Sequence, residues 1–386
     1  MAMANSQSLL KLRDYVEGQQ FEGYDPYDAL NSPLLRGLSL GKKGMRILFI
    51  QSLKRLPINI RPLLGIRKGL NPKGIGLFVW GYAKLYALQG QPEYLKIQDR
   101  LLQLLEETKS PGYSGRSWGY NFDWQSRAFF LPKYTPTIVN TSFIGHALLD
   151  SYIHTGNEQS LSMAISAKDF IIRSLNRKSE GPFFCFSYSP LDECYVHNAN
   201  LLGASLLIRL FLYTGESILK DTALASLGYS MKHQREDGSW PYAETDYQSW
   251  IDSFHTGFNL QSIWYFIQAG YGQPYREALA RGLKFYEENF FLADGTPKYY
   301  NNRLFPIDIH SAAQAVVVFC LLGRSHRQPA EKVARWMIEN FQDRKGYFYF
   351  QKNRLWQNKI PYMRWAQAWA FHALTEIASG EKGSLS

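Results

Sequence analysis

Apolar residues recur at helical spacing through most of the chain, in two kinds of stretch that alternate. One kind carries a charged face opposite an apolar one: EYLKIQDRLLQLLEET from Glu93, SMAISAKDFIIRSL from Ser162, YREALARGLKFYEENF from Tyr275 and AEKVARWMIENF from Ala330. A stripe of this width predicts a helix lying on the surface of a core. The other kind is apolar nearly all round: SFIGHALLDSYI from Ser142, NLLGASLLIRLFLY from Asn200, FNLQSIWYFIQAG from Phe258 and AAQAVVVFCLL from Ala312. Such a helix is covered on both sides. GIGLFVWGYAKLYALQG, from Gly74, is another of this inner type.

A glycine-containing aromatic loop separates each outer-type helix from the next inner one. These loops read GRSWGYNFDW at Gly115, GPFFCFSY at Gly181, GSWPYAETDY at Gly238, GTPKYYNN at Gly295 and GYFYFQKN at Gly346. Most lie roughly 50 to 65 residues apart, the period of a helical hairpin plus a long loop. Six inner helices face five outer ones, and N-terminal residues could supply a sixth outer helix. The predicted fold is all-α, an (α/α)6 toroid over residues 70–380. Residues 1–69 are expected to form a loop and a basic amphipathic segment packed on the barrel.

Aligned, the inner-helix starts read TIVNTSFIGHAL, YVHNANLLGASL, SFHTGFNLQSI, DIHSAAQAVVV and YMRWAQAWAFHAL. Asn140, His197, His255, His310 and Arg364 fall together, with Lys73 near the equivalent point of the first helix. In a toroid these positions sit at one barrel end and point toward the axis. Asn200, Asn259, Gln314 and Gln367 follow one turn deeper on the same faces. Polar side chains on apolar helices are costly to bury without partners, so a shared polar funnel is expected. Amides, imidazoles and a guanidinium suit the hydroxyls of a sugar. The loop aromatics, among them Trp118, Trp240 and Tyr242, would offer flat platforms to sugar C–H faces. Asp252 and Asp308 stand where helix N-caps stand, and capping alone would account for them. The block FEGYDPYDALNSPLL would bring Asp25 or Asp28 over the funnel, or else tie down the N-terminus.

Composition and charge narrow the reading further. The chain has 386 residues, 45% hydrophobic, 15% aromatic and a net charge of +10. No acidic residue occurs from Ala29 to Pro92. Residues 36–73 mix basic and apolar side chains, as a solvated basic helix pair does, or a segment resting on an anionic membrane face. No nucleic-acid module accompanies the charge. Three cysteines without framework spacing, and a start without a signal-like apolar core, predict a reduced, cytoplasmic protein, peripheral at most to the inner membrane face. Cys194 and His197 form one Cys-x-x-His pair, too little for a metal site, and no cofactor motif is found.

The chain resembles the α/α-toroid superfamily over roughly residues 70 to 380, in particular the six-hairpin glycosidases and the sugar epimerases that share their barrel. HTGFNLQSIW (His255–Trp264) is similar to the His-Pro-Gly-His-type helix starts of the N-acylglucosamine 2-epimerase group, with Thr256 in place of the proline and Phe258 in place of the second histidine. That resemblance implies a histidine moving a proton beside a sugar carbonyl. QREDGSWPY (Gln234–Tyr242) resembles the Gln…Gly-Ser-Trp repeats of terpene cyclases, without their acidic motifs. GYDPYDALNSP resembles a block in proteins of surface-polysaccharide gene sets.

The expected protein acts on an acidic or lipid-linked glycan in surface-polysaccharide assembly. Two chemistries are open. Hydrolysis would use Asp252 and Asp308 as a carboxyl pair. Epimerisation or β-elimination would use His255 and His310 as base and acid, with Arg364 holding the anion formed. A non-catalytic glycan-binding scaffold and a terpenoid-cyclase-like toroid are the rivals.

Overall fold

The structure is a computed structural model that describes residues 2–382. The chain begins with α1 (Ala2–Gly18), then two helices at the side of the barrel, α2 (Pro33–Leu38) and α3 (Lys43–Arg55). Five hairpins follow: α4 and α5 (Pro72–Gln89, Pro92–Glu107), α6 and α7 (Ile138–Thr155, Glu158–Ser174), α8 and α9 (His197–Thr214, Ser217–Lys232), α10 and α11 (Ser253–Gln268, Arg276–Phe290), α12 and α13 (Ile309–Leu321, Arg327–Phe341). A single π-helical turn, Met363–Ala368, leads into α14 (Trp369–Lys382). The even-numbered helices from α4 to α14 pack in sequence, and α14 returns to α4, closing an inner barrel. The odd-numbered helices from α5 to α13 stand outside their partners, and α1 packs against α14 as the sixth outer helix. The toroid is therefore closed by the N-terminus, as the count of outer helices requires.

The loop glycines show how neighbouring hairpins are joined. A Cβ on Gly238 would lie 2.3 Å from the carbonyl oxygen of Arg281 in α11, and one on Gly346 the same distance from that of Lys11 in α1. Gly115 meets α7 at Ser166 in the same way. Each loop thus lies directly on the next outer helix, which only a residue without a side chain permits. A glutamine fixes two of these contacts. Gln234 Nε2 donates to the carbonyls of Gly238 and Ala278, and Gln342 Nε2 to those of Gly346 and Ser8. The Gln…Gly-Ser-Trp stretch is a staple between hairpins.

Short strands decorate the loop end of the barrel. β1 (Trp124–Gln125) pairs with β2 (Phe130–Leu131), and β3 (Arg177–Glu180) with β4 (Phe183–Phe186). β5 (Ile307–Asp308), β6 (Gln351–Lys352) and β7 (Gln357–Asn358) form an antiparallel trio. One large apolar core fills the space between the two rings, and a small one, including Leu30, Ile50 and Leu53, lies under α2 and α3. No helix among the described residues is long and apolar enough to cross a membrane.

Candidate active site

A cavity of about 360 Å³ opens at the barrel end that carries the aromatic loops and the starts of the inner helices. That size falls in the range of roughly 300–1,000 Å³ typical of small-molecule sites. Its walls are aromatic: Tyr27, Tyr120, Trp124, Tyr188, Tyr242 and Trp250 among others. Burial pushes the phenols of Tyr120, Tyr188 and Tyr242 up, so they remain hydrogen-bond donors. The charged lining is of one sign. Lys54, Arg55, Lys73, Arg127 and Arg364 border the cavity, and among the described residues no carboxylate does.

His255 opens onto this space from the first turn of α10. Asp252 caps the helix by accepting the His255 N–H on Oδ1 at 3.1 Å. Its Oδ2 lies 2.7 Å from His255 Nδ1 and accepts from Trp250 Nε1 at 2.9 Å. The Asp252 side chain is fully buried, while that of His255 is 21% exposed. One aspartate thus performs two tasks: it starts the helix and fixes the imidazole so that Nε2 is left for the cavity.

His310 sits deeper. Its ring stacks on Phe254 with centroids 4.6 Å apart and meets Trp365 edge-on at 4.9 Å. Neither ring nitrogen has a hydrogen-bond partner. Burial, then Lys73, Arg364 and His255, hold it well below the usual histidine range, so it is neutral. Arg364 is held in a two-pronged pair with Asp25, Nε to Oδ2 at 2.6 Å and Nη2 to Oδ1 at 2.8 Å. Lys73 is 3% exposed, with Nζ 4.1 Å above the Phe143 ring. Burial first, then Arg364, push its ammonium well below the usual lysine range, against the pull of Asp25. Arg364, Lys73 and His310 lie together at the buried side of the cavity, with Asp25 as the counter-ion of Arg364.

No protein-family profile matches the sequence, and no curated protein sequence does. Solved structures do. A cellobiose 2-epimerase from Spirochaeta thermophila superposes with a TM-score of 0.62 at 13% identity, over 82% of this chain and 87% of that one. An α-mannanase of glycoside hydrolase family 76 from Bacteroides thetaiotaomicron gives 0.64 at 12% identity, over 81% and 87%. An unsaturated glucuronyl hydrolase specific for heparin gives 0.65 at 13%, over 99% and 97%. The chain has the six-hairpin α/α-toroid fold. At these identities the likeness speaks for the fold, and the site rests on its own geometry.

The toroid places the aligned polar residues unequally. Lys73, His255, His310 and Arg364 converge on the cavity, and Tyr242 joins them from its loop. Asn140 does not; Val139 takes the lining position, and both amide atoms of Asn140 are buried without partners. His197 turns outward to Ser230 Oγ at 3.3 Å, leaving Asn198 on the cavity wall. The deeper amides are cross-links. Asn200 accepts the Phe186 N–H, Gln367 brackets the Phe348 peptide with bonds of 2.7 and 2.8 Å, and Gln314 donates to Gln261. Asn259 borders a small side recess.

Asp308 is fully buried, accepting from His310 N, Trp365 Nε1 and Gln351 Nε2. Asp28 is buried against Arg61, its partner at 2.7 Å, and away from the cavity. Trp118 and Trp240 are core residues whose indole N–H groups donate to Leu105 and Ser230 carbonyls. Cys194 contacts Gln248. Sequence alignment missed Asn198, Tyr188, Phe254, Lys54 and Arg127. Their signal is weak: Asn198 and Phe254 are each one position from an aligned histidine, Tyr188 ends the aromatic loop at Gly181, and Lys54 and Arg127 lie in stretches outside the repeat.

Proposed function

We propose that the cavity belongs to a carbohydrate-processing enzyme that moves a proton on the carbon beside a sugar carbonyl or carboxylate, by epimerisation or β-elimination. The observation that carries this reading is the Asp252–His255 pair beside a cavity lined, among the described residues, by lysines and arginines and by no acidic side chain. His255 Nε2 takes the carbon-bound proton, and Asp252 steadies the imidazolium that results. The electron pair released moves onto the sugar oxygen. Lys73 and Arg364 lie where they can stabilise that oxyanion, and neutral His310 can donate a hydrogen bond to it. Delivery of a proton to the opposite face by His310, while His255 gives up its own to solvent, gives the epimer; loss of the substituent on the next carbon gives the unsaturated sugar. Hydrolysis by Asp252 and Asp308 is not supported, because neither carboxylate lines the cavity and each is engaged by three neighbouring groups.

The experiment is deuterium incorporation from D2O into a panel of neutral and uronate-containing oligosaccharides. Wild-type protein exchanges the proton beside the carbonyl or carboxylate. His255→Ala slows exchange by about 10²–10⁴-fold, the usual contribution of a general base. Asp252→Asn lowers kcat more than it raises KM. Glycosidic cleavage without exchange, or binding without turnover, defeats the proposal.

Two finer points belong to the same reading. Lys54, Arg55 and Arg127 at the cavity favour an acidic sugar. Residues 36–73 favour a substrate presented at an anionic membrane: Leu40, Ile58 and Leu63 are 75%, 67% and 86% exposed, beside exposed Lys42, Lys43 and Arg67. Co-sedimentation with phosphatidylglycerol vesicles, weaker with phosphatidylcholine and weakened by Leu40→Ser with Leu63→Ser, is the expected outcome. Equal binding to both lipids, or none, removes the membrane.

A further inference from the structure

Behind the cavity wall, four ionisable side chains from separate elements meet. His197 opens α8, His233 follows α9, Glu180 ends β3, and Glu244 lies in the loop between α9 and α10. None of them lines the cavity. Donor atoms of His197, His233 and Glu244 lie within 4.8 Å of one another. His233 Nε2 is 3.0 Å from Glu180 Oε2 and 3.6 Å from Glu244 Oε1. The far oxygen of each carboxylate is held by a lysine, Glu180 Oε1 by Lys232 and Glu244 Oε2 by Lys178. Tyr229 O–H also donates to Glu244 Oε1.

One atom in this group is left over. His197 is 2% exposed, its ring centroid is 5.4 Å from that of His233, and its Nε2 has no hydrogen-bond partner. A buried imidazole nitrogen beside a carboxylate and a second imidazole is a costly arrangement unless something binds it.

We propose that His197, His233 and Glu244 form a zinc site. Two nitrogens and a carboxylate oxygen are a set zinc accepts, with bonds of about 2.0–2.2 Å, the fourth position falling to water or to Glu180, which lies beside His233. Tetrahedral bonds of that length put neighbouring donors about 3.3–3.6 Å apart, close to the 3.6 Å between His233 Nε2 and Glu244 Oε1. Calcium and magnesium favour all-oxygen shells, which two histidines do not offer. The lysines on the outer oxygens orient the carboxylates, as outer partners of metal ligands do. The ion would join an inner-helix start, an outer-helix end and a loop at one point. The same loop carries Tyr242 and Trp250 to the cavity wall, and His197 N donates to the Tyr242 carbonyl at 3.2 Å. The site is structural: it fixes a wall of the cavity, and zinc takes no part in the reaction there.

The test uses the full chain, stripped with a chelator and titrated with zinc by calorimetry. One Zn2+ binds per chain, raises the unfolding temperature, and is not replaced by Mg2+. Co2+ gives the intense visible bands of a tetrahedral N/O site. His233→Ala, on the half-buried rim and checked for folding by circular dichroism, abolishes binding; Glu244→Gln weakens it at least tenfold. His326→Ala, whose imidazole contacts Glu287 elsewhere, leaves it unchanged. Absence of zinc binding overturns the proposal, as does binding that survives His233→Ala or a six-coordinate cobalt spectrum. None of these readouts depends on sugar turnover.

Discussion

Asp252 and Asp308 occupy equivalent caps and have different chemistry, and the difference comes from what surrounds each. Asp252 reaches past its cap to His255, at the edge of the cavity. Asp308 is enclosed by Trp365, Gln351 and the His310 N–H. Burial pushes its carboxyl up to about 6, although these donors and Lys54 pull the other way. A raised pKa means that the folded state binds the proton more tightly than the unfolded chain. The stabilising contribution is therefore complete below the ordinary value of 3.8 and is lost as pH rises through about 6. Asp308→Asn keeps an acceptor for Trp365 and removes the titration. Urea unfolding should show a flatter dependence of stability on pH between 4 and 7 than in the wild type. Equal slopes would mean that Asp308 does not titrate in that window. Asp28, also raised to about 6 by burial, remains in both proteins and supplies the residual slope.

Among elements, the aromatic loops are set by glycines and tryptophans that look functional and act as fasteners. Trp118 and Trp240 each tie a loop back to the outer helix before it, while Gly238 and Gly346 let it touch the outer helix after it. Gly346 has φ of 98° and no room for a Cβ against Lys11. Gly346→Ala should cost about 2 kcal/mol, from left-handed backbone strain and from the displacement of α1. Urea denaturation reads the cost, and limited proteolysis should show α1 released first. A cost below about 0.5 kcal/mol would mean that the loop relaxes freely and the contact is incidental. The repeated grammar visible in the chain is therefore mostly the grammar of hairpin joining. The residues that line the cavity vary from repeat to repeat around it.

At the scale of the whole molecule, the N-terminal segment both closes the ring and completes the site. α1 is the sixth outer helix, and Asp25, downstream of it, is the counter-ion of Arg364 on α14's entry turn. Asp25→Ala would leave a guanidinium that is 3% exposed without its partner. Breaking a buried pair in this way costs about 3–5 kcal/mol. Calorimetry and urea unfolding should show that loss, together with weaker binding of any acidic sugar as Arg364 loses its fixed position. A near-neutral Asp25→Ala would mean that the pair adds little net stability.

The two periodicities, charged-stripe and all-apolar, determined by themselves that inner and outer helices alternate, and their number set the toroid and its need for an outer helix from the N-terminus. A helix buried on both sides must be apolar on both, so burial writes itself into composition. His255, His310 and Arg364 were legible as a group because polar residues on such helices stand out. What the sequence did not determine was the rotation of each inner helix about its own axis. The helices begin at different offsets from the aligned residues, His197 being the first residue of α8, His310 the second of α12 and His255 the third of α10, so aligned positions need not share a direction. That rotation turned His197 toward α9 and brought Asn198 in, and it put Val139 where Asn140 was expected. It also enclosed Asp308 while Asp252 kept its histidine at the cavity. Only the tertiary packing decides these, because a single residue, about 100° of rotation, separates a side chain that faces the axis from one that faces its neighbour.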